Sequence, residues 1–322
     1  MAGSIKLIKR RIKSIASTAK LTRAMQMIAT AAMRKAVTQS RAAQPFASET
    51  ITFLNRFAGY ITQNKINHPY LVEQPLQTVL GVVITSNRGL CGNYHSALEK
   101  KVRSVVNNPA FLITYPLDEA TKEQLTEQPK VNFEWIVVGR KGEKMIRKLD
   151  QPIIASFNKL NENVDLAELN AVFNVIREAY DSGKYQKVII FYTQHVNSLK
   201  QVPSVGQLLP VSAPQIQRVV DEWQINFKDF RPGEVTARDY VIEPGETAVI
   251  ETISLLLLKS LLYYFVLESK ASVESARMLA MKNATDAASE MGQVLTLAYN
   301  QLRQGKITNE IAEISAGRAA LE

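Results

Sequence analysis

The sequence predicts an α/β protein: a long antiparallel coiled coil of its N- and C-terminal helices, with an α/β domain inserted between them. Three observations carry this. Residues 5, 8, 12, 15, 19, 22, 26, 29, 33 and 36 hold Ile, Ile, Ile, Ile, Ala, Thr, Gln, Ala, Met and Ala. That is a seam of alternating three- and four-residue steps in which only Thr22 and Gln26 are polar. Ala271 to Leu302 contains no proline and a single glycine, Gly292, and repeats small and large apolar residues at helical spacing. Between these segments, short β-branched runs alternate with helical ones, the pattern of a mostly parallel sheet covered on both faces.

The first element is a helix over residues 1–62. Residues 1–48 carry ten Lys or Arg (positions 6, 9, 10, 11, 13, 20, 23, 34, 35 and 41) and no acid. The whole chain is +9, so everything after residue 48 nets to −1. The basic excess therefore belongs to one helix, which implies an acidic partner surface or an anionic membrane. Nucleic acid is the weakest partner class, because no aromatic for base stacking precedes Phe46. A mitochondrial transit peptide shares this composition, but the seam runs to about residue 36 with no shift to mark cleavage. Pro45 is expected to kink or end the helix.

Residues 76–210 form the inserted, Rossmann-like α/β domain. Its strands are Thr78–Ser86, Phe133–Val138, Ile153–Phe157 and Lys187–Thr193. Its helices are Asn93–Val106, Gly142–Leu149 and Asp165–Asp181, the last with Asp165 as N-cap. Residues 109–130 and 196–244 read as connections or insertions, the second rich in proline, with WQINF at 223–227 a weak strand candidate. Residues 211–244 close this connection, and 245–322 are the C-terminal coiled-coil helix. The apolar run Ile253–Leu267 is 15 residues with Lys259 in its middle. It is short of the roughly 20 residues a membrane span needs, so it is expected to be buried in protein.

No motif supports catalysis. Gly139-Arg140-Lys141-Gly142-Glu143-Lys144 has the wrong spacing for a phosphate loop, and Asn87-Arg88-Gly89-Leu90-Cys91-Gly92 lacks the lysine. Both glycine pairs are expected to serve strand-to-helix turns. The lone Cys91 excludes an internal disulfide, and the scattered His68, His95 and His195 give no metal-ligand spacing. Glu310 and Glu313 lie on one helical face and are expected to pair with cations. No cofactor or metal is expected.

Taken together, KLTRAMQMIATAAMRKA near the N-terminus, TSNRGLCGNYH after the first strand and ESARMLAMKNATDAASE…LAYNQLRQGKITNEIAEI at the end resemble the gamma subunit of the F-type ATP synthase. The resemblance spans both ends and the strand-turn motif. It implies a central rotor shaft without an active site of its own. Its terminal coiled coil would lie inside a hexamer of alpha and beta subunits, and its α/β foot would sit on the epsilon subunit and the membrane c-ring. It further implies a peripheral place on the cytoplasmic face of a bacterial plasma membrane, or the organelle equivalent. By the same resemblance, Met25, Arg34, Lys35, Arg277, Arg303, Gln304 and Thr308 are the expected subunit contacts. The chain departs from the family in Ala287 for an asparagine, in Ser272-Val273 before the A-R-M motif, and in Arg318 near the tail. It also lacks the cysteine pair by which chloroplast members gate activity.

Two readings compete with this one. The first is a coiled-coil scaffold whose α/β domain binds a nucleotide or phosphate. The second is a basic peripheral membrane protein, whose lipid binding would fall steeply with salt.

Overall fold

A computed structural model describes residues 2–63, 68–72, 74–112, 131–158, 166–211, 243 and 245–319. The elements in chain order are α1 (Ala2–Gln63), β1 (Thr78–Ile84), α2 (Tyr94–Asn107), β2 (Asn132–Val138), α3 (Arg140–Lys148), β3 (Ile153–Phe157), α4 (Leu166–Asp181), β4 (Lys187–His195), β5 (Gln201–Leu209) and α5 (Glu246–Ala319), with a short 3₁₀ turn at Pro109–Leu112. At 1.5 Å per residue, the 62 residues of α1 and the 74 of α5 span roughly 93 and 110 Å.

The two helices pair antiparallel along the predicted seam. Every seam position from Ile5 to Ala36 is buried or half-buried, and all ten cationic residues within 1–48 are exposed. Three cross-helix neighbours set the register: Ile15 beside Gly292, Thr22 Oγ1 at 2.7 Å from Thr285 Oγ1, and Ser40 Oγ at 2.9 Å from Glu268 Oε1. Each pair of residue numbers adds to 307 or 308, so α1 has run out by the time α5 reaches about residue 305. The last turns of α5 therefore stand alone, and residues 301–316 are exposed throughout.

Pro45 does not end α1, which continues to Gln63. Pro45 removes the N–H that would bond the carbonyl of Arg41. Both residues are exposed, where water can take up the freed carbonyl.

The sheet order is β3-β2-β1-β4-β5, parallel except for the antiparallel β4–β5 pair. β1 shows why its strands are apolar throughout. Val79 and Val83 face the core shared with α2 and α3, including Leu98, Val102, Met145 and Ile146. Leu80, Val82 and Ile84 face the opposite core, with Val172 and Ile176 of α4 and Leu258, Leu261 and Phe265 of α5. β5 lies within the segment read as a connection. The sequence conceals it because QVPSVGQLL carries Pro203 and Gly206, residues that only an edge strand tolerates. Gly206 is required by contact. A Cβ there would sit 2.9 Å from Cζ of Phe265, whose ring packs 4.4 Å from Tyr192. Asp165 and the WQINF stretch lie outside the described residues.

α5 contains an 18-residue window long and apolar enough to cross a membrane by length and composition, and half of that window is buried in the protein. The run Ile253–Leu267 supplies Leu257, Leu258, Leu261, Leu262 and Phe265 to the sheet core.

Candidate functional site

Where α5 leaves the sheet, buried side chains tie it to β4 and the turn after it. In an open, doubly wound sheet, ligands bind in the crevice beyond the carboxyl ends of the strands, where strand order reverses. Here that position lies between β1 and β4, and α5 runs beside it, bonded to the end of β4 and to the turn after β1. Ser272 Oγ donates to the carbonyl of Thr193 at 2.8 Å, and the Thr193 N–H donates to Ser269 Oγ at 3.3 Å. Ser275 Oγ donates to the carbonyl of Ser198 at 2.8 Å and accepts from Gln201 Nε2 at 3.2 Å. Tyr94 Oη, at the start of α2, donates to the carbonyl of Ser269 at 3.3 Å. Ser269, Ser272 and Ser275 are all buried, on one helical face at i, i+3 and i+6.

Both glycine turns are likewise committed to structure. Gly139 has φ +95°, and a Cβ on it would lie 2.6 Å from the carbonyl oxygen of Thr85. The N–H groups that open α3 meet the first turn: Arg140 N–H bonds Asn87 Oδ1 at 3.0 Å, Lys141 N–H the carbonyl of Ser86 at 3.2 Å, and Gly142 N–H Thr85 Oγ1 at 2.8 Å. Donors used in this way are not available to cradle a phosphate.

Electrostatics at the joint follow burial. His95 Nε2 lies 3.1 Å from Ser86 Oγ, and burial pushes its pKa down to about 4. Burial also lowers the pKa of His195, against the pull of the Glu268 carboxylate. Cys91 is 2% exposed, packed with Tyr94, Val273 and Ala276, and burial raises its pKa against the lowering effect of Arg277. It is an unreactive thiol. Tyr94 is pushed up to about 12 by burial.

The expected contact residues fall into two groups. Applying the register, Arg34 and Lys35 stand level with residues 272–274, Arg277 with about residue 30, and Met25 with about residue 282. These four cluster where the coiled coil leaves the sheet. Arg34 and Lys35 are exposed and Met25 is half-buried. Arg277 is turned inward, bonding Glu274 and, at 3.4 Å, the carbonyl of Gly89. Arg303, Gln304 and Thr308 are exposed on the far end of α5, roughly 40 Å along the helix from Arg277. Around them Leu302, Ile307, Ile311 and Ile314 are 39, 43, 58 and 73% exposed, and Ile307, Ile311 and Ile314, at i, i+4 and i+7, lie along one side of the solitary helix. An uncovered apolar stripe on a protruding helix marks an interaction surface.

Sequence reasoning missed the residues of the joint: Ser40, Glu268, Ser269, Ser272 and Ser275. The three-residue serine spacing just past a long apolar run was the available signal. Apart from the Gln201 side chain, its partners are main-chain atoms of β4 and the turn after it, which no side-chain pattern announces.

Comparison with known proteins places this architecture. A family model described as ATP synthase matches residues 4–321. The chain is 34% identical over 319 residues to the ATP synthase gamma chain of Dehalococcoides mccartyi, covering 99% of each. It is 31% identical over 321 residues to that of Cupriavidus metallidurans, covering all of both. Among solved structures, a chain of the Euglena gracilis mitochondrial ATP synthase (OSCP/F1/c-ring, rotational state 3) aligns with TM-score 0.59 at 16% identity, over 100% of this chain and 95% of that one. One from the Tetrahymena thermophila mitochondrial ATP synthase central stalk and c-ring aligns with TM-score 0.57 at 22% identity, over 82% and 99%. The structural likeness speaks for the fold.

Proposed function

Because this chain belongs to the ATP synthase gamma-chain family, we propose that it is the central rotor shaft of such a complex, a non-catalytic subunit that couples rotation to ATP synthesis or hydrolysis. Its inserted domain sits as the foot on the membrane c-ring and the epsilon subunit. The coiled coil stands in the hexamer of alpha and beta subunits, and the assembly is peripheral to a membrane, on the cytoplasmic face in a bacterium. Rotation of an asymmetric rod would change the shape presented to each beta subunit in turn.

The observation that carries the reading is α5 itself. One unbroken 74-residue helix is anchored by buried serines in the sheet at one end and outruns its partner helix at the other. A rod of this form transmits force between two distant surfaces. Arg34 and Lys35 offer exposed positive charge where the coil meets the foot, complementary to an acidic lever on a beta subunit. Arg303, Gln304 and Thr308 supply polar contacts at the tip. Against the competing nucleotide-binding reading, the N–H groups that open α3 are spent on the first turn, on Asn87, Ser86 and Thr85.

The chain is expected to purify as one copy with three alpha and three beta subunits. Arg34→Glu combined with Lys35→Glu is expected to lower ATP-driven proton pumping in inverted membrane vesicles while the complex still assembles. Pumping at the parent level would remove these residues from the coupling path, and purification in another stoichiometry would overturn the reading.

A further inference from the structure

We propose that Glu268 is the positioning residue that locks the N-terminal helix to the inserted domain, so that both helices of the shaft turn with the foot as one body. The inference rests on the rotor reading. Glu268 is 8% exposed. Its Oε1 accepts from Ser40 Oγ of α1 at 2.9 Å, and its Oε2 accepts from the main-chain N–H of His195, at the end of β4, at 2.9 Å. One carboxylate on α5 thus joins three elements.

Close to Glu268 the α1 side of the seam is mostly small, with Ala36 and Ala29 buried on either side of Met33, and the isoleucine knobs Ile5, Ile8, Ile12 and Ile15 lie farther up the coil. Small residues allow close approach but offer few knobs to catch in holes. Polar groups in such a seam specify register, because any slip leaves them buried without partners. Thr22 and Thr285 form one such pair, 2.7 Å apart and roughly 27 Å up the coil from Ser40. That pair ties helix to helix. Glu268 does more, because its second oxygen is held by the sheet and so refers the position of α1 to the foot.

The test reads register in the assembled complex by disulfide cross-linking. Ile15→Cys with Gly292→Cys reports the native register. Ile15→Cys with Leu295→Cys reports a slip of about one turn. Cys91 is buried and stays out of the reaction. Relative to the parent, Glu268→Ala and Ser40→Ala are expected to raise slipped over native product by about tenfold, the factor implied by losing one buried hydrogen bond to a charged group. Glu268→Gln keeps an acceptor for His195 and a donor for Ser40, and is expected to retain the native ratio. A loss of stability alone would lower both products together and leave their ratio unchanged.

Parent-like ratios in both alanine variants would overturn the lock, as would a Glu268→Gln variant that slips as far as Glu268→Ala. Should Glu268→Ala fail to assemble, Ser40→Ala decides, since it leaves Glu268 on His195. Failure of the parent chain to purify with alpha and beta subunits would instead refute the rotor reading, and the cross-link ratio in the full chain would still judge the lock.

Discussion

Replacing Ser269, Ser272 and Ser275 together by alanine removes the side-chain bonds that anchor α5 in the sheet. Four hydrogen bonds go: Ser272 to Thr193, Thr193 to Ser269, Ser275 to Ser198, and Gln201 to Ser275. At a net value of about 1 kcal/mol each, the loss is about 4 kcal/mol. Alanine is the better helix former by roughly 0.5 kcal/mol per site, which returns about 1.5 kcal/mol. The expected net destabilisation is therefore about 2–3 kcal/mol, toward the upper end because the Thr193 N–H is left buried without its partner. Urea unfolding of the full chain, followed by far-UV circular dichroism, is expected to show a lower midpoint with unchanged slope. Ser254→Ala is the matched control. Ser254 lies on the same helix with its Oγ fully buried and unpartnered among the described residues, so its removal is expected to be neutral or stabilising. A triple variant within about 0.5 kcal/mol of the parent would refute the anchoring argument, because such a shift is what an ordinary surface change produces.

Gly206→Val is expected to destabilise by about 1–3 kcal/mol through overpacking against Phe265, read as a lower thermal midpoint; Phe265→Ala in the same chain should relieve part of it, a non-additivity that independent sites would not show. His95 titrates near 6.5 in the unfolded chain and at about 4 when folded, so stability is full above pH 6.5 and falls as the pH drops from 6.5 toward 4, where only the unfolded state takes up the proton. His95→Asn should flatten that part of a stability-against-pH curve, and an unchanged slope would discount the burial argument. Pro45→Ala restores the N–H missing from the interior of α1 and is expected to stabilise the chain by up to about 3 kcal/mol, measured by thermal unfolding.

Much of the fold was legible because its determinants are local and periodic. The steps from Ile5 to Ala36 are a heptad regardless of what covers them, and each apolar strand had to be buried on both faces. β5 escaped because an edge strand needs no apolar run and accommodates Pro203 and Gly206. The helix read over residues 1–62 does run to Gln63; what Pro45 does inside it was left open between a kink and an end, because that depends on whether the freed carbonyl faces solvent.

The candidate site divides the same way. Arg34, Lys35 and the tip residues Arg303, Gln304 and Thr308 were singled out by the resemblance of their motifs and remain proposed contacts; all five are exposed. Arg277 came from the same motifs, yet its inward turn onto Glu274 and Gly89 is set by where the first turn of the sheet meets α5.

The sequence by itself determined that there are two long helices, which face of each is apolar, and that all the excess positive charge lies on one of them, since these are properties of spacing and composition. The tertiary structure alone decided how the rod is fastened. Ser40, Glu268 and the main-chain N–H of His195 are far apart in the chain, and no local pattern relates them. They meet only because an antiparallel register near 307 and the end of β4 place two oxygens of one carboxylate between a hydroxyl and an amide. That is a three-body condition, and it exists only once the chain has folded.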